Sequence, residues 1–142
     1  MTEMFASFQI SGSALTAEKM RIDTIASNLA NLQTTRTAAG GPYRRKTVVF
    51  AERLEQARNA PYAFRGRGVR AVAVVEDPHP PRLEYDPEHP DANEEGFVAY
   101  PNIDLAKEMT ELITASRSYE ANTAAINTAK SLYLKALEIG RG

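Results

Sequence analysis

The chain has 142 residues, 43% of them hydrophobic, a net charge of −1 and no cysteine. That length allows one ordinary domain, and near neutrality gives the whole chain no bulk attraction for nucleic acid or anionic lipid. Without thiols there are no disulfides, no thiolate catalysis and no Cys-based zinc site. No charged stretch followed by an apolar core of roughly 7–15 residues opens the chain. No run approaches the roughly 20 apolar residues of a membrane span. The sequence therefore predicts neither a cleaved signal peptide nor a membrane helix.

Residues 1–35 read as an N-terminal helix that starts near Glu3 or Ser7 and ends at Leu32. Phe8, Leu15, Ile22 and Leu29 recur at every seventh position, joined by Ile25 and Leu32, which is the pattern of a helix with one apolar seam. Gly12, between two serines, costs about 1 kcal/mol relative to alanine and predicts a bend or break. Residues 33–42 form a loop with Gly40-Gly41-Pro42 as its turn signal.

Residues 36–101 read as a β- and loop-rich insert, and all eight prolines fall between positions 42 and 101. Residues 45–50 predict a strand, and 51–59 either continue it or form a short helix. Residues 69–75 are the clearest strand, β-branched and preceded by Gly66-Arg67-Gly68 read as a turn. Prolines exclude 78–81 from a central strand. Residues 83–86 and 96–100 are short extended segments flanking an acidic loop. Residues 102–142 read as a second long helix, with Asn102 as N-cap after Pro101, Asp104 in the first turn and Gly140 closing it. Leu105, Leu112, Tyr119, Ile126 and Tyr133 repeat every seven residues there. The expected fold is mainly α with a small β insert. Its long N- and C-terminal helices pack as a coiled-coil-like pair joined by a short β/loop-rich domain.

The C-terminal seam is incomplete. Met109, Ser116, Thr123, Lys130 and Leu137 alternate with the apolar positions, and each polar one removes apolar burial worth about 25 cal/mol per Å². A helix of 38 residues, 102–139, is also about 57 Å long, more than so small an insert covers. Ala115, Ser116, Asn122, Asn127 and Ala129 suit close approach of several helices. The expected assembly interface is Leu15, Ile22, Ile25, Asn28, Leu29 and Asn31 with Met109, Leu112, Tyr119, Asn122, Ile126, Asn127 and Leu137. The four asparagines would fix register as buried polar residues do in coiled coils.

Catalytic or ligand chemistry finds little support. Gly66-Arg67-Gly68-Val69-Arg70-Ala71 has glycines in dinucleotide-like spacing but precedes a strand instead of opening a helix. His79 and His89 sit in proline-spaced turns, poor places for a metal's rigid surroundings. The carboxylates between 86 and 95 show no spacing that would tune an acid–base pair. No catalytic, cofactor or metal residue is assigned. Residues 36–70 carry nine Lys or Arg against two Glu, a net +7, and residues 71–101 carry a net −7. These blocks could pair internally, join copies head to tail, or simply be solvated. Basic residues 44–46, 65, 67 and 70 with interleaved aromatics leave a nucleic-acid module at 43–70 as the alternative function, against which the acidic block argues.

The terminal segments resemble a known family. Ile25-Ala26-Ser27-Asn28-Leu29-Ala30-Asn31 with Thr34 is similar to the N-terminal signature of bacterial flagellar axial rod and hook proteins. Pro101-Asn102-Ile103-Asp104, Glu108-Met109, Ala115-Ser116-Arg117-Ser118-Tyr119-Glu120-Ala121-Asn122 and Asn127-Thr128-Ala129-Lys130-Ser131 resemble its C-terminal counterpart. Ser11-Gly12-Ser13-Ala14-Leu15-Thr16-Ala17, Pro42-Tyr43-Arg44, Val75-Glu76-Asp77-Pro78, Tyr85-Asp86-Pro87-Glu88-His89-Pro90-Asp91 and Gly96-Phe97-Val98 liken it most to the C-type proximal rod branch. Two details depart from the wider pattern: Gly41-Pro42-Tyr43-Arg44 stands later than the usual Gly-Tyr-Lys turn, and Phe97 replaces a more usual tyrosine. The resemblance implies a non-enzymatic subunit of the basal-body rod, the periplasm-spanning drive shaft that transmits torque for motility. It implies export through the flagellar type III apparatus, and as partners copies of itself, other proximal and distal rod proteins and the rod-base adaptor. No cofactor, nucleic acid or small-molecule substrate is implied. Relatives' termini are mobile in the free monomer and ordered on assembly.

Overall fold

The computed structural model describes residues 2–57 and 60–140, with side-chain surroundings described for 5–54 and 66–140. Six elements follow in chain order: α1 (Thr2–Ala30), β1 (Lys46–Ala57), β2 (Ala60–Glu76), β3 (Arg82–Tyr85), β4 (Phe97–Tyr100) and α2 (Leu105–Ile139). The chain is thus mainly helical, with two long helices flanking two antiparallel two-stranded sheets. Asn28 near the end of α1 meets Glu108 near the start of α2, and the two helices stay packed beyond that point. Only an antiparallel course allows both. Counted from that contact at 1.5 Å per residue, α2 runs on about 8 Å past the first residue of α1.

The expected break at Gly12 does not occur, because α1 is one continuous helix. A methyl group at Gly12 would meet nothing within 4 Å. Glycine is required instead at Gly68, where the β1–β2 hairpin crosses α1. There φ is +98°, and an added Cβ would lie 2.1 Å from Ser13 Oγ and 3.2 Å from the Ile10 Cα. Ser13 Oγ accepts from the Val69 amide at 3.1 Å and donates to the Ile10 carbonyl at 2.7 Å, fixing the crossing point. Gly68→Ala is expected to destabilise the chain by about 1–3 kcal/mol, the usual size of backbone strain at such a φ. Chemical denaturation checks this, with Gly12→Ala as the neutral or slightly stabilising comparison.

Residues 51–57 continue the strand and form no helix; Arg58 and Asn59 lie outside the described residues. Gly66-Arg67-Gly68 is likewise not a turn. Glu52 faces Val69 and Leu54 faces Gly66, so Arg53 opposes two residues, Arg67 and Gly68. That two-against-one count with a positive-φ glycine is a β-bulge, and it bends the ribbon toward α1. Val48, Ala51, Val69 and Ala71 are half-buried, whereas Val49, Phe50, Val72, Val74 and Val75 remain exposed.

Beyond the hairpin, β3 and β4 pair from Arg82↔Tyr100 to Tyr85↔Phe97, with the last two rings edge-on at 5.3 Å. Between them the acidic loop is a succession of hydrogen-bonded turns. In the preceding turn Asp77 accepts from the His79 amide at 2.9 Å and pairs with its ring. Those two bonds, the backbone one foremost, hold the Asp77 carboxyl below its ordinary range. A depressed folded value means this contribution is complete above about pH 4, where the unfolded carboxyl is ionised. It fades as pH falls through the lower folded value, so protection of the His79 amide, measured against its intrinsic exchange rate at each pH, is expected to fall there, and less so in Asp77→Ala.

The cap of α2 is Asp104, not Asn102. Its carboxylate accepts from the amides of Ala106 (2.9 Å) and Lys107 (3.2 Å). Pro101 and Ile103 are buried and hold the intervening segment extended, which delays the first helical turn.

Candidate assembly surface and the polar clasp beneath it

The face that α2 turns to α1 is centred near its start on Glu108 and Ala115, with the apolar heptad column at its margin. Glu108 and Ala115 are completely buried, and Asn122 and Ala129, each seven residues further on, are half-buried. Three positions earlier lies the predicted column, in which Leu105 is 49% and Tyr119 37% exposed, while Leu112, Ile126 and Tyr133 are half-buried. At 3.6 residues per turn the two columns lie about 60° apart, and the contact runs between them. Small side chains let the helix backbones approach, and the larger apolar ones splay to the flanks.

Larger apolar groups are left outside. Leu105, Met109 and Ile113, spaced i, i+4 and i+8 on one helical face, are 49–56% exposed. Leu132, Leu134, Leu137 and Ile139 surround the far end of α2 and are all exposed. Of the expected interface residues, Met109, Tyr119, Asn127 and Leu137 face outward. Leu15, Ile22, Leu29, Asn31, Leu112, Asn122 and Ile126 are half-buried, and Ile25 and Asn28 are buried.

A polar clasp sets the register of this framework. Asn28 Nδ2 donates to the Lys46 carbonyl (2.9 Å) and to Glu108 Oε2 (3.0 Å). Its Oδ1 accepts from the Lys46 amide (2.9 Å) and the Tyr43 hydroxyl (3.1 Å). One side chain thus uses all four of its hydrogen-bonding positions to join α1, the start of β1 and α2. Glu108 completes the clasp, since its Oε1 accepts from Arg45 Nε at 2.5 Å. Arg45 also reaches Glu111 at 3.2 Å and Thr47 at 2.8 Å. A fully buried carboxylate is tolerated only when paired and hydrogen-bonded, and here both conditions hold. Asn31 and Asn122 bond locally instead, to the carbonyls of Ser27 and Ser118.

Sequence reasoning placed Arg45 in a basic patch and gave Tyr43, Glu108 and Glu111 no role in the interface. A signal existed in Glu108, which heads the seven-residue series of Ala115, Asn122 and Ala129. The basic run is also dispersed by folding: Arg45 turns inward, Lys46 lies 5.6 Å from the Tyr43 ring centre and Arg67 bonds Gln9. The nucleic-acid alternative loses its continuous stripe. His79 and His89 serve turns, bonding Asp77 and the Asp91 amide, and among the described residues no three His, Asp or Glu converge on a metal position.

Comparison with known proteins matches residues 8–36 to the family described as "Flagella basal body rod protein" and residues 94–139 to "Flagellar basal body rod FlgEFG protein C-terminal". The chain is 41% identical to the flagellar basal-body rod protein FlgC of Borreliella burgdorferi, over 98% of its length and 99% of the relative's. It is 43% identical to the Bacillus subtilis protein of that name, over 96% and 98%. Against the Escherichia coli O157:H7 protein of that name it is 45% identical, over 94% and 96%.

Proposed function

Since the chain belongs to the flagellar basal-body rod protein family, we propose that it is a structural subunit of the proximal rod, polymerising through its terminal helices. The observation that carries the reading to mechanism is the apolar surface that α2 leaves outside the helix pair. Glu108, Ala115 and the half-buried Leu112, Asn122 and Ile126 serve the helix pair, while Leu105, Met109, Ile113 and the apolar far end are left for neighbours. A contiguous apolar strip on a monomer marks an interaction surface. The neighbours are copies of this chain and other rod proteins, and the assembled shaft crosses the periplasm and carries torque to the hook. Export through the flagellar type III apparatus completes the proposal. The chain acts as a mechanical part and not as an enzyme.

Deleting its gene is expected to abolish swimming and to leave basal bodies without rods in electron micrographs, with both restored by the unaltered gene. Complete rods in the deletion strain would refute the reading.

A further inference from the structure

The charge asymmetry of the insert becomes a separation in space. The hairpin lies back along α1, and its bulge meets Ser13, about 23 Å along the helix from the clasp at Asn28. There a cleft of about 630 Å³ opens between α1 and the hairpin, lined by Gln9, Gly12, Ser13 and Thr16 on one side and Arg53, Leu54 and Arg67 on the other. Arg53, Arg67 and Arg70 are exposed there beside Glu52, and Arg67 is held over the cleft by its bond to Gln9. Arg53 and Arg70 make no ion pair among the described residues.

The acidic loop sits at the opposite end of α1. Asp91 anchors it there, accepting from Thr35 Oγ1 at 2.8 Å and lying 3.6 Å from Arg36. Asp86, Glu88, Glu94 and Glu95 are exposed and make no ion pair among the described residues. Glu94 and Glu95 are the two corner residues of a turn closed by the Gly96 amide on the Asn93 carbonyl (2.9 Å). Asn93 Oδ1 braces it further, accepting from the amides of Glu95 (3.0 Å) and Phe97 (2.8 Å). The two carboxylates are therefore presented on a preformed tip, which lowers the ordering cost of binding.

Two Debye lengths at physiological salt are about 16 Å, shorter than the distance from clasp to cleft. The tip and the cleft of one copy therefore cannot neutralise each other. We propose that the acidic tip of a second copy docks in this cleft, Glu94 and Glu95 meeting Arg53 and Arg67, so that copies join head to tail. Donor and acceptor surfaces differ, so the contact is heterologous and extends a ring or helix instead of closing a two-fold dimer. This inference rests on the reading of the chain as a self-assembling rod subunit.

The chain's lack of cysteine makes the test direct. Purified full-length Leu54→Cys and Glu94→Cys chains are mixed and oxidised. The mixed disulfide dimer is expected to exceed either same-variant dimer roughly tenfold, equivalent to about 1.4 kcal/mol. It should also recede toward 1 M salt, where the Debye length is about 3 Å. Equal pairing of all combinations, or no salt dependence, overturns the proposal. In cells, Glu94→Arg with Glu95→Arg and, separately, Arg53→Glu with Arg67→Glu are each expected to impair swimming, and all four together to recover it. Failure of the combined variant to improve on either pair overturns the docking. The rod reading is judged separately, by the deletion strain.

Discussion

Replacing Arg45 by alanine is expected to lower folding stability by about 3–5 kcal/mol, the usual cost of stranding one member of a buried ion pair. Glu108 has no solvent exposure and Arg45 only 12%, so neither charge can turn to water when its partner is lost. Asn28 would remain as a neutral donor to Glu108, too little to compensate a buried carboxylate. Against a total of about 5–15 kcal/mol for a domain of this kind, the loss approaches unfolding at growth temperature. Urea titration followed by helical circular dichroism measures it. Arg53→Ala, an exposed arginine of the same chain, is expected to change stability by no more than about 0.5 kcal/mol. Arg45→Met combined with Glu108→Leu removes both charges and is expected to recover most of the loss, because it leaves no buried charge unpaired. An Arg45→Ala variant within about 1 kcal/mol of the parent would show that the pair behaves as a surface salt bridge.

Met109→Asp with Ile113→Asp is expected to produce the opposite pattern, with a normal fold and failed assembly. Both side chains are more than half exposed in the single chain, so their replacement costs the monomer little, within about 0.5 kcal/mol each. In a rod each would bury its exposed half, worth about half of the roughly 1.5–3 kcal/mol of a whole side chain. Losing both weakens association at least about tenfold, before the cost of burying two carboxylates is added. The readouts are an unchanged urea midpoint, absent rods in purified basal bodies and loss of swimming. Leu112→Asp with Ile126→Asp serves as the contrast. Those residues are half-buried, so that pair is expected to weaken the fold as well as assembly. Motility retained in the Met109 and Ile113 variant would remove this face from the interface.

The helices were legible because periodicity and the lack of glycine and proline between 102 and 139 act over many residues. Their contact face was legible only in part, since Ala115, Asn122 and Ala129 already stand out as suited to close helix approach while Glu108 does not. Counting apolar residues selects the column of Leu112 and Ile126, and the contact runs between it and the column of Ala115, Asn122 and Ala129. Gly68 was misread because a positive-φ glycine serves a turn and a bulge equally well. Only pairing across the hairpin separates the two. Asn102 and Asp104 are both competent caps, and the choice was made by burial of Ile103, which has no local signature. The clasp joins Asn28, Arg45 and Glu108 across 80 residues of chain. A charge pattern read along the sequence cannot reveal that one arginine of a basic run points inward.

Assembly through α2 requires that its outward face be covered by neighbours in the rod. Single cysteines at 105, 109, 113, 132 and 137 can be labelled with a maleimide in the free chain and in isolated basal bodies, against a background that contains no other thiol in this chain. In the free chain all five should label rapidly, as their exposure of 46–59% requires. In basal bodies protection should appear at these positions. Equal labelling of all five in the free chain and in the rod would contradict assembly through this helix.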